Sequence, residues 1–269
     1  MSNPVISNRQ MGFVRTTLDP FLFCVHHLDL YPEGNELQGP KDSLIGRHIG
    51  SDFDEANDWK MYHGKTVPGF PAHPHRGFET ITVVLEGLVD HFDSGGSTGR
   101  YGFGDVQWMT AGSGIIHQEM PHGNGAGEMH GFQLWANLPA NQKMTTPRYQ
   151  DIKSNDITEL HDDDDSRIRI IAGNYRGYQG PVDGIAAEPQ YLDINLPANC
   201  FKIFPFDTRR QGFAYIFEGS ASFSKASSPF GVKVEKEFAG EEIEIRDLSG
   251  NRTLVLFGDG DEVAVTSGE

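Results

Sequence analysis

Apolar residues in this chain fall into short runs broken by glycine, proline and acidic residues, and no stretch demands a long helix. Residues 21–25 (FLFCV) read as a buried strand. Residues 80–85 (TITVVL) are β-branched and apolar, Glu86-Gly87 supplies a turn, and residues 88–92 (LVDHF) form a returning strand. A glycine-rich loop over 94–99 follows, and Gly104-Asp105 introduces a strand over 106–110. Residues 111–114 (AGSG) then turn into a strand over 115–120 (IIHQEM). The first 20 residues are polar, as expected of an arm or edge strand, and residues 28–72 suggest long loops with few short strands. Residues 137–165 are polar, contain Pro139 and Pro147, and end in four consecutive aspartates, Asp162 to Asp165. EF-hand spacing is absent there, so the stretch reads as a solvated linker or loop. Strand signals resume at 167–171 (RIRII).

The second half repeats the layout of the first. Residues 214–219 (AYIFEG) match 82–87 (TVVLEG) at an offset of 132, and residues 240–245 (GEEIEI) resemble 104–109 (GDVQWM) at an offset of 136. The constant order favours duplication and predicts two β-barrel halves joined through the polar stretch.

At 269 residues the chain can bury a sizeable core in one large or two ordinary domains. Hydrophobic residues make up 37%, too few for a membrane protein, and aromatics make up 11%, too many for a disordered one. The formal charge is −16 and no Lys/Arg-rich run exists, which argues against direct binding to nucleic acid or an anionic membrane. No apolar signal region opens the chain and no stretch approaches the ~20 apolar residues of a spanning helix, so a cytoplasmic protein is expected. Cys24 and Cys200 are expected as two free buried thiols rather than a bridge.

The chemistry concentrates in His73-Pro74-His75 and His117-Gln118-Glu119. On a strand, residues i and i+2 share a face roughly 7 Å apart, so both side chains of each pair can converge on one ion. Pro74 lacks a backbone N–H and suits a strand start or edge. All 11 histidines lie at or before His161. The offsets pair His73 and His75 with Pro205 and Asp207, and His117 and Glu119 with Thr253 and Val255; the second half keeps the layout without the ligands. Packing histidines would give that asymmetry no cause. Three imidazoles and a carboxylate suit one divalent transition metal, foremost Fe(II), with Ni, Cu, Mn, Co or Zn as the other candidates. Glu119 is the natural general base. Of the remaining histidines, His26 and His27 point to opposite strand faces. His91, His122 and His130 read as surface residues or outer partners of the ligands, and His48, His63 and His161 sit in polar loops. Phe78, Trp108, Phe132 and Trp135 either line an aromatic pocket or pack the core, and Gln107 and Gln133 are candidate hydrogen-bond donors to the ligands.

Residues 73–80 (HPHRGFET), 104–112 (GDVQWMTAG), 114–121 (GIIHQEMP) and 133–139 (QLWANLP) closely resemble the signature of the pirin family, and the likeness extends over about 14–260. That resemblance implies an all-β fold of two stacked cupin (jelly-roll-like) β-barrels, a bicupin. It places a metal-binding cupin barrel at 1–140, a linker at 141–165, and at 166–269 a cupin barrel lacking the ligands. It further implies an iron-type metal on His73, His75, His117 and Glu119. Gly95 to Thr98 enlarges a loop, and Phe103 stands where proline is common; both bear on substrate identity and not on the metal. The resemblance implies two functions. One is a dioxygenase acting on a small flavonol-type (quercetin-like) aromatic and dioxygen, with Glu119 as catalytic base. The alternative is a non-catalytic, redox-sensing metalloprotein that binds a regulatory or metabolic protein partner. A third reading confines the metal to stabilising the barrel.

Overall fold

A computed structural model describes residues 5–10, 14–17, 19–32, 35, 40–47, 51–52, 61–62, 69–123, 127–223, 231–236, 240–245, 249–258 and 260–269. Among them the only helical turns are two three-residue 3-10 segments, Ala140–Gln142 and Ser154–Asp156, so the chain is all-β as expected. No helix of the described residues is long and apolar enough to cross a membrane. His48 and His63 lie outside the described residues.

The chain packs as two compact units, each assembled from separate stretches. One comprises Cys24–Thr158 and Ile170–Tyr191; the other comprises Met1–Phe23, Glu159–Arg169 and Leu192–Glu269. The strands that position the site are β1 (Phe21–Leu30), β2 (Phe70–His75), β3 (Phe78–Glu86), β4 (Leu88–Asp93), β5 (Thr98–Gly102), β6 (Val106–Thr110), β7 (Ile115–His122), β8 (Glu128–Asn137) and β9 (Arg148–Ile152). They form one sheet in the order β9-β6-β3-β8-β1 and a second in the order β2-β7-β4-β5. β3 is central, and its β-branched run is buried along both faces (Ile81 1%, Val83 1%, Val84 0% exposed). Gly87 makes the tight turn into β4 at φ +79°, where a Cβ would lie 2.5 Å from the His122 carbonyl oxygen.

The stretch expected as a linker carries structure of its own. β9 lies within it and pairs along β6, Tyr149 opposite Met109 and Asp151 opposite Gln107. The aspartate run is a solvated turn, as expected, with Asp163, Asp164 and Asp165 exposed, and it is anchored where Asp162 and Asp164 lie 2.7 and 2.9 Å from the Lys202 ammonium. Polar composition concealed β9, because only Ile152 of its residues is buried, and the aspartates find a cation only through the fold. Cys24 and Cys200 are both free, Cys24 buried and Cys200 half-buried.

The second unit repeats the arrangement with β10 (Phe201–Pro205), β11 (Phe213–Ile216), β12 (Ala221–Ser222), β13 (Thr253–Phe257) and β14 (Glu262–Ser267). β14 lies between β10 and β12 as β7 lies between β2 and β4, and β13 pairs with β11 as β6 pairs with β3. Gly219 turns at φ +78°, matching Gly87. This corrects the equivalences read from the sequence. Among the described residues, 240–245 pair only with Gly231–Lys236, as an additional hairpin, and Thr253–Phe257 takes the place of β6. His73 and His117 face each other across β2 and β7; Phe204 and Val263 face each other across β10 and β14. The counterparts of His73, His75, His117 and Glu119 are therefore Phe204, Phe206, Val263 and Val265, not Pro205, Asp207, Thr253 and Val255. Pro205 is exposed and so is on the wrong face. The inserted hairpin shifts the later strands, and a weak identity signal cannot register that shift.

Candidate metal centre

Alternation on two neighbouring strands builds the site. β2 is an edge strand of its sheet, which is where Pro74 costs no ladder bond. Pro74 points out while His73 and His75 point in. Across from them on β7, His117 and Glu119 are buried and Ile116 is exposed. His117 pairs with His73 and Ile115 with His75, and a bulge follows between His117 and Glu119. The ligand nitrogens of His73, His75 and His117 lie within 4.8 Å of one another. His73 Nε2 and His117 Nε2 are 3.0 Å apart. Metal–nitrogen bonds of about 2.1 Å at right angles place two nitrogens about 3 Å apart, so the spacing fits one shared ion. The Pro71 carbonyl accepts from His73 Nδ1 at 2.8 Å, which leaves the lone pair of His73 on Nε2, aimed at the site.

Electrostatics agree with that geometry. Burial, aided by the neighbouring imidazoles His117 and His73, lowers the His75 pKa to about 3. Burial likewise lowers His117 to about 4, against the pull of Glu119. Two uncharged imidazoles in a buried cluster are what a cation requires.

Glu119 is not one of the three converging groups. Its Oε1 accepts from the Tyr101 hydroxyl at 2.8 Å, and the Gln133 amide lies 3.3 Å from Oε2. Gln133 also donates to Thr82 at 3.0 Å and accepts from the Trp135 indole at 2.7 Å. Burial pushes the Glu119 pKa up, but His117, Tyr101, His91 and Gln133 outweigh it and hold the carboxyl below its ordinary value. The expected role of Gln133 as a donor to this carboxylate is thus present. Gln107, on the same rung through Thr82, is fully buried with both amide atoms unpartnered among the described residues.

Phe78 and Trp135 stack at 4.4 Å and both lie edge-on to His75, at 5.0 and 4.9 Å. They form an aromatic wall beside the ligands. Trp108 and Phe132 alternate to the opposite face from Gln107 and Gln133, and Trp108 is core at 1% exposed. His26 packs on His130, while His27 meets Phe70 and Asp29; none of these histidines belongs to the ligand cluster. His122 pairs with Asp90 and His161 with Glu159. His91 is fully buried: its Nε2 lies 3.0 Å from Asp93 Oδ2 and its Nδ1 3.4 Å from His117 Nδ1. Sequence reading missed Tyr101 altogether, since nothing local marks a tyrosine on a different strand as the partner of Glu119. The His91-x-Asp93 alternation was a readable signal for the pair behind His117.

A family model described as Pirin matches residues 35–136. The chain is 37% identical over 210 residues to a pirin-like protein of Caulobacter vibrioides, spanning 77% of this chain and 72% of that one. It is 40% identical over 200 residues to a Pseudomonas aeruginosa protein named "Putative quercetin 2,3-dioxygenase", spanning 71% and 69%. Among solved structures, a quercetin 2,3-dioxygenase from Acinetobacter baumannii superposes with a TM-score of 0.73 at 23% identity, over 99% of this chain and 83% of that one. That likeness establishes the bicupin fold. With its ligand-type histidines gathered on the first unit, this chain belongs to the pirin family.

Proposed function

We propose that the protein is a metal-dependent dioxygenase of flavonol-type substrates, with one divalent ion, foremost Fe(II), held by His73, His75, His117 and Glu119. The carrying observation is the convergence of three imidazoles within 4.8 Å, His75 and His117 buried and His73 half-buried, on strands that also present a buried, hydrogen-bonded carboxylate. The quercetin 2,3-dioxygenase name of the Pseudomonas aeruginosa relative supports the substrate class. When bound, the ion supplies Lewis acidity for an ionised substrate hydroxyl and redox capacity for dioxygen. The chain's own residues do the rest. Glu119, held ionised and oriented by Tyr101 and Gln133, takes the proton of the substrate hydroxyl. Gln133 fixes the Trp135 indole, so the aromatic wall of Phe78 and Trp135 is tied to the same network as the base. A flat polyphenol stacks on that wall and presents its hydroxyl toward the histidines.

Anaerobic loading with Fe, Ni, Cu, Mn or Co, followed by quercetin and oxygen, is the test. Ring-cleaved product with release of carbon monoxide is expected for at least one metal, and its absence with all five overturns the substrate assignment. Glu119→Gln keeps the fold, and its turnover is expected to fall at least 100-fold, the scale of a lost general base.

A further inference from the structure

We propose that His91 and Asp93 are a positioning pair that sets the tautomer of His117 and thereby leaves its Nε2 free to hold an ion. The inference rests on the metal-centre reading above.

Hydrogen-bond direction carries the argument. Both side chains are fully buried, with 0% exposed for His91 and for Asp93, so water satisfies neither. Asp93 Oδ1 accepts from the backbone N–H groups of Gly95 at 2.8 Å and Ser97 at 3.0 Å. Asp93 Oδ2, facing His91 Nε2 at 3.0 Å, accepts the ring proton. In the neutral ring, which has one N–H, His91 Nδ1 is then the bare nitrogen. Across 3.4 Å that nitrogen can only accept, and His117 Nδ1 must donate to it. His117 therefore carries its proton on Nδ1, and its Nε2 lone pair points at His73 Nε2, 3.0 Å away and likewise bare through Pro71. Two lone pairs held face to face by fixed acceptors behind them repel each other until a cation stands between them. Tyr149 keeps the intermediate ring in place, stacked on His91 at 4.5 Å and 22°.

The second unit supplies an independent observation. Glu119 pairs with His91 across β7 and β4. Ser222 pairs with Thr266 across β12 and β14, so the next residue, Phe223, falls opposite Val265. A buried phenylalanine thus replaces His91 where all four ligand positions are apolar. The outer histidine and the ligand set are present together or absent together.

Asp93→Asn tests this sharply. Because Gly95 and Ser97 keep an oxygen on their side, the asparagine places its NH2 group toward His91. Every donor in the chain then reverses, and the proton of His117 moves to Nε2. Nitrogen-15 NMR of histidine-labelled, chelator-treated full-length protein reads the tautomer, and titration with Co(II), followed by its visible absorption, reads binding. Wild type is expected to show His117 protonated on Nδ1. Asp93→Asn is expected to show it on Nε2, with Co(II) affinity lowered 10- to 100-fold. His91→Phe keeps an aromatic ring against Tyr149 and removes the acceptor, so it is expected to give mixed tautomers and a smaller loss. An unchanged His117 tautomer in folded Asp93→Asn overturns the proposal, as does unchanged Co(II) affinity. A wild type that binds no Co(II) defeats the metal-centre reading instead, and the NMR result then decides the pair's role alone.

Discussion

Where β2 and β7 bring His73 and His117 face to face, β10 and β14 bring Phe204 and Val263. Both units run their strands in corresponding order, and both turn on a glycine near φ +79°. Their interiors differ. One buries imidazoles, a carboxylate and the hydroxyl of Tyr101; the other buries Phe204, Phe223, Phe257, Val263 and Val265. Each of those apolar side chains contributes roughly 1.5–3 kcal/mol by burial. The polar set costs stability instead, and hydrogen bonds, and in the proposed function a bound ion, must offset that cost. The comparison teaches that the strand scaffold does not dictate chemistry: five inward positions do.

Exchanging chemistry between the units is the strongest way to break the comparison. Val265→Glu puts a carboxylate where no Tyr101 or Gln133 awaits it, and thermal unfolding is expected to show a loss of roughly 3–5 kcal/mol. A tolerated Val265→Glu would mean the second interior is wet. Next in size, His117→Ala is expected to lower metal affinity at least 100-fold, or ~2.7 kcal/mol, measured by chelator competition. Val263→Ala at the matching position is expected to leave metal uptake unchanged and to lower only the melting temperature. The two turn glycines give a smaller contrast. Gly219→Ala meets nothing within 4 Å and pays only the positive-φ strain, about 1 kcal/mol, whereas Gly87→Ala also meets backbone oxygens at 2.5 and 3.1 Å and should cost clearly more by denaturant titration.

The comparison also bears on pH dependence. His75 and His117 stay neutral in the fold down to about 3 and 4, while the unfolded chain protonates them near 6.5. The unfolded state therefore binds more protons in that window, and stability of the metal-free protein is expected to fall as pH drops from about 6.5 toward 4. His75→Phe should flatten that slope, because it removes one of the two buried imidazoles that produce it; an unchanged slope would place the acid sensitivity elsewhere.

Much was legible in the chain because alternation is a local property. The i, i+2 pairs at 73/75 and 117/119, the turn at Glu86-Gly87 and the β-branched run 80–85 each specify which face a side chain takes, and all adopt the predicted arrangement. The family signature lies over the same residues. Tertiary structure alone decided which strands are neighbours. It put Tyr101 behind Glu119, drew residues 148–152 out of an apparent linker onto β6, and matched His117 with Val263 rather than Thr253. Those outcomes depend on pairing between strands far apart in sequence. An inserted hairpin shifts such pairing by whole strands while leaving every local pattern intact.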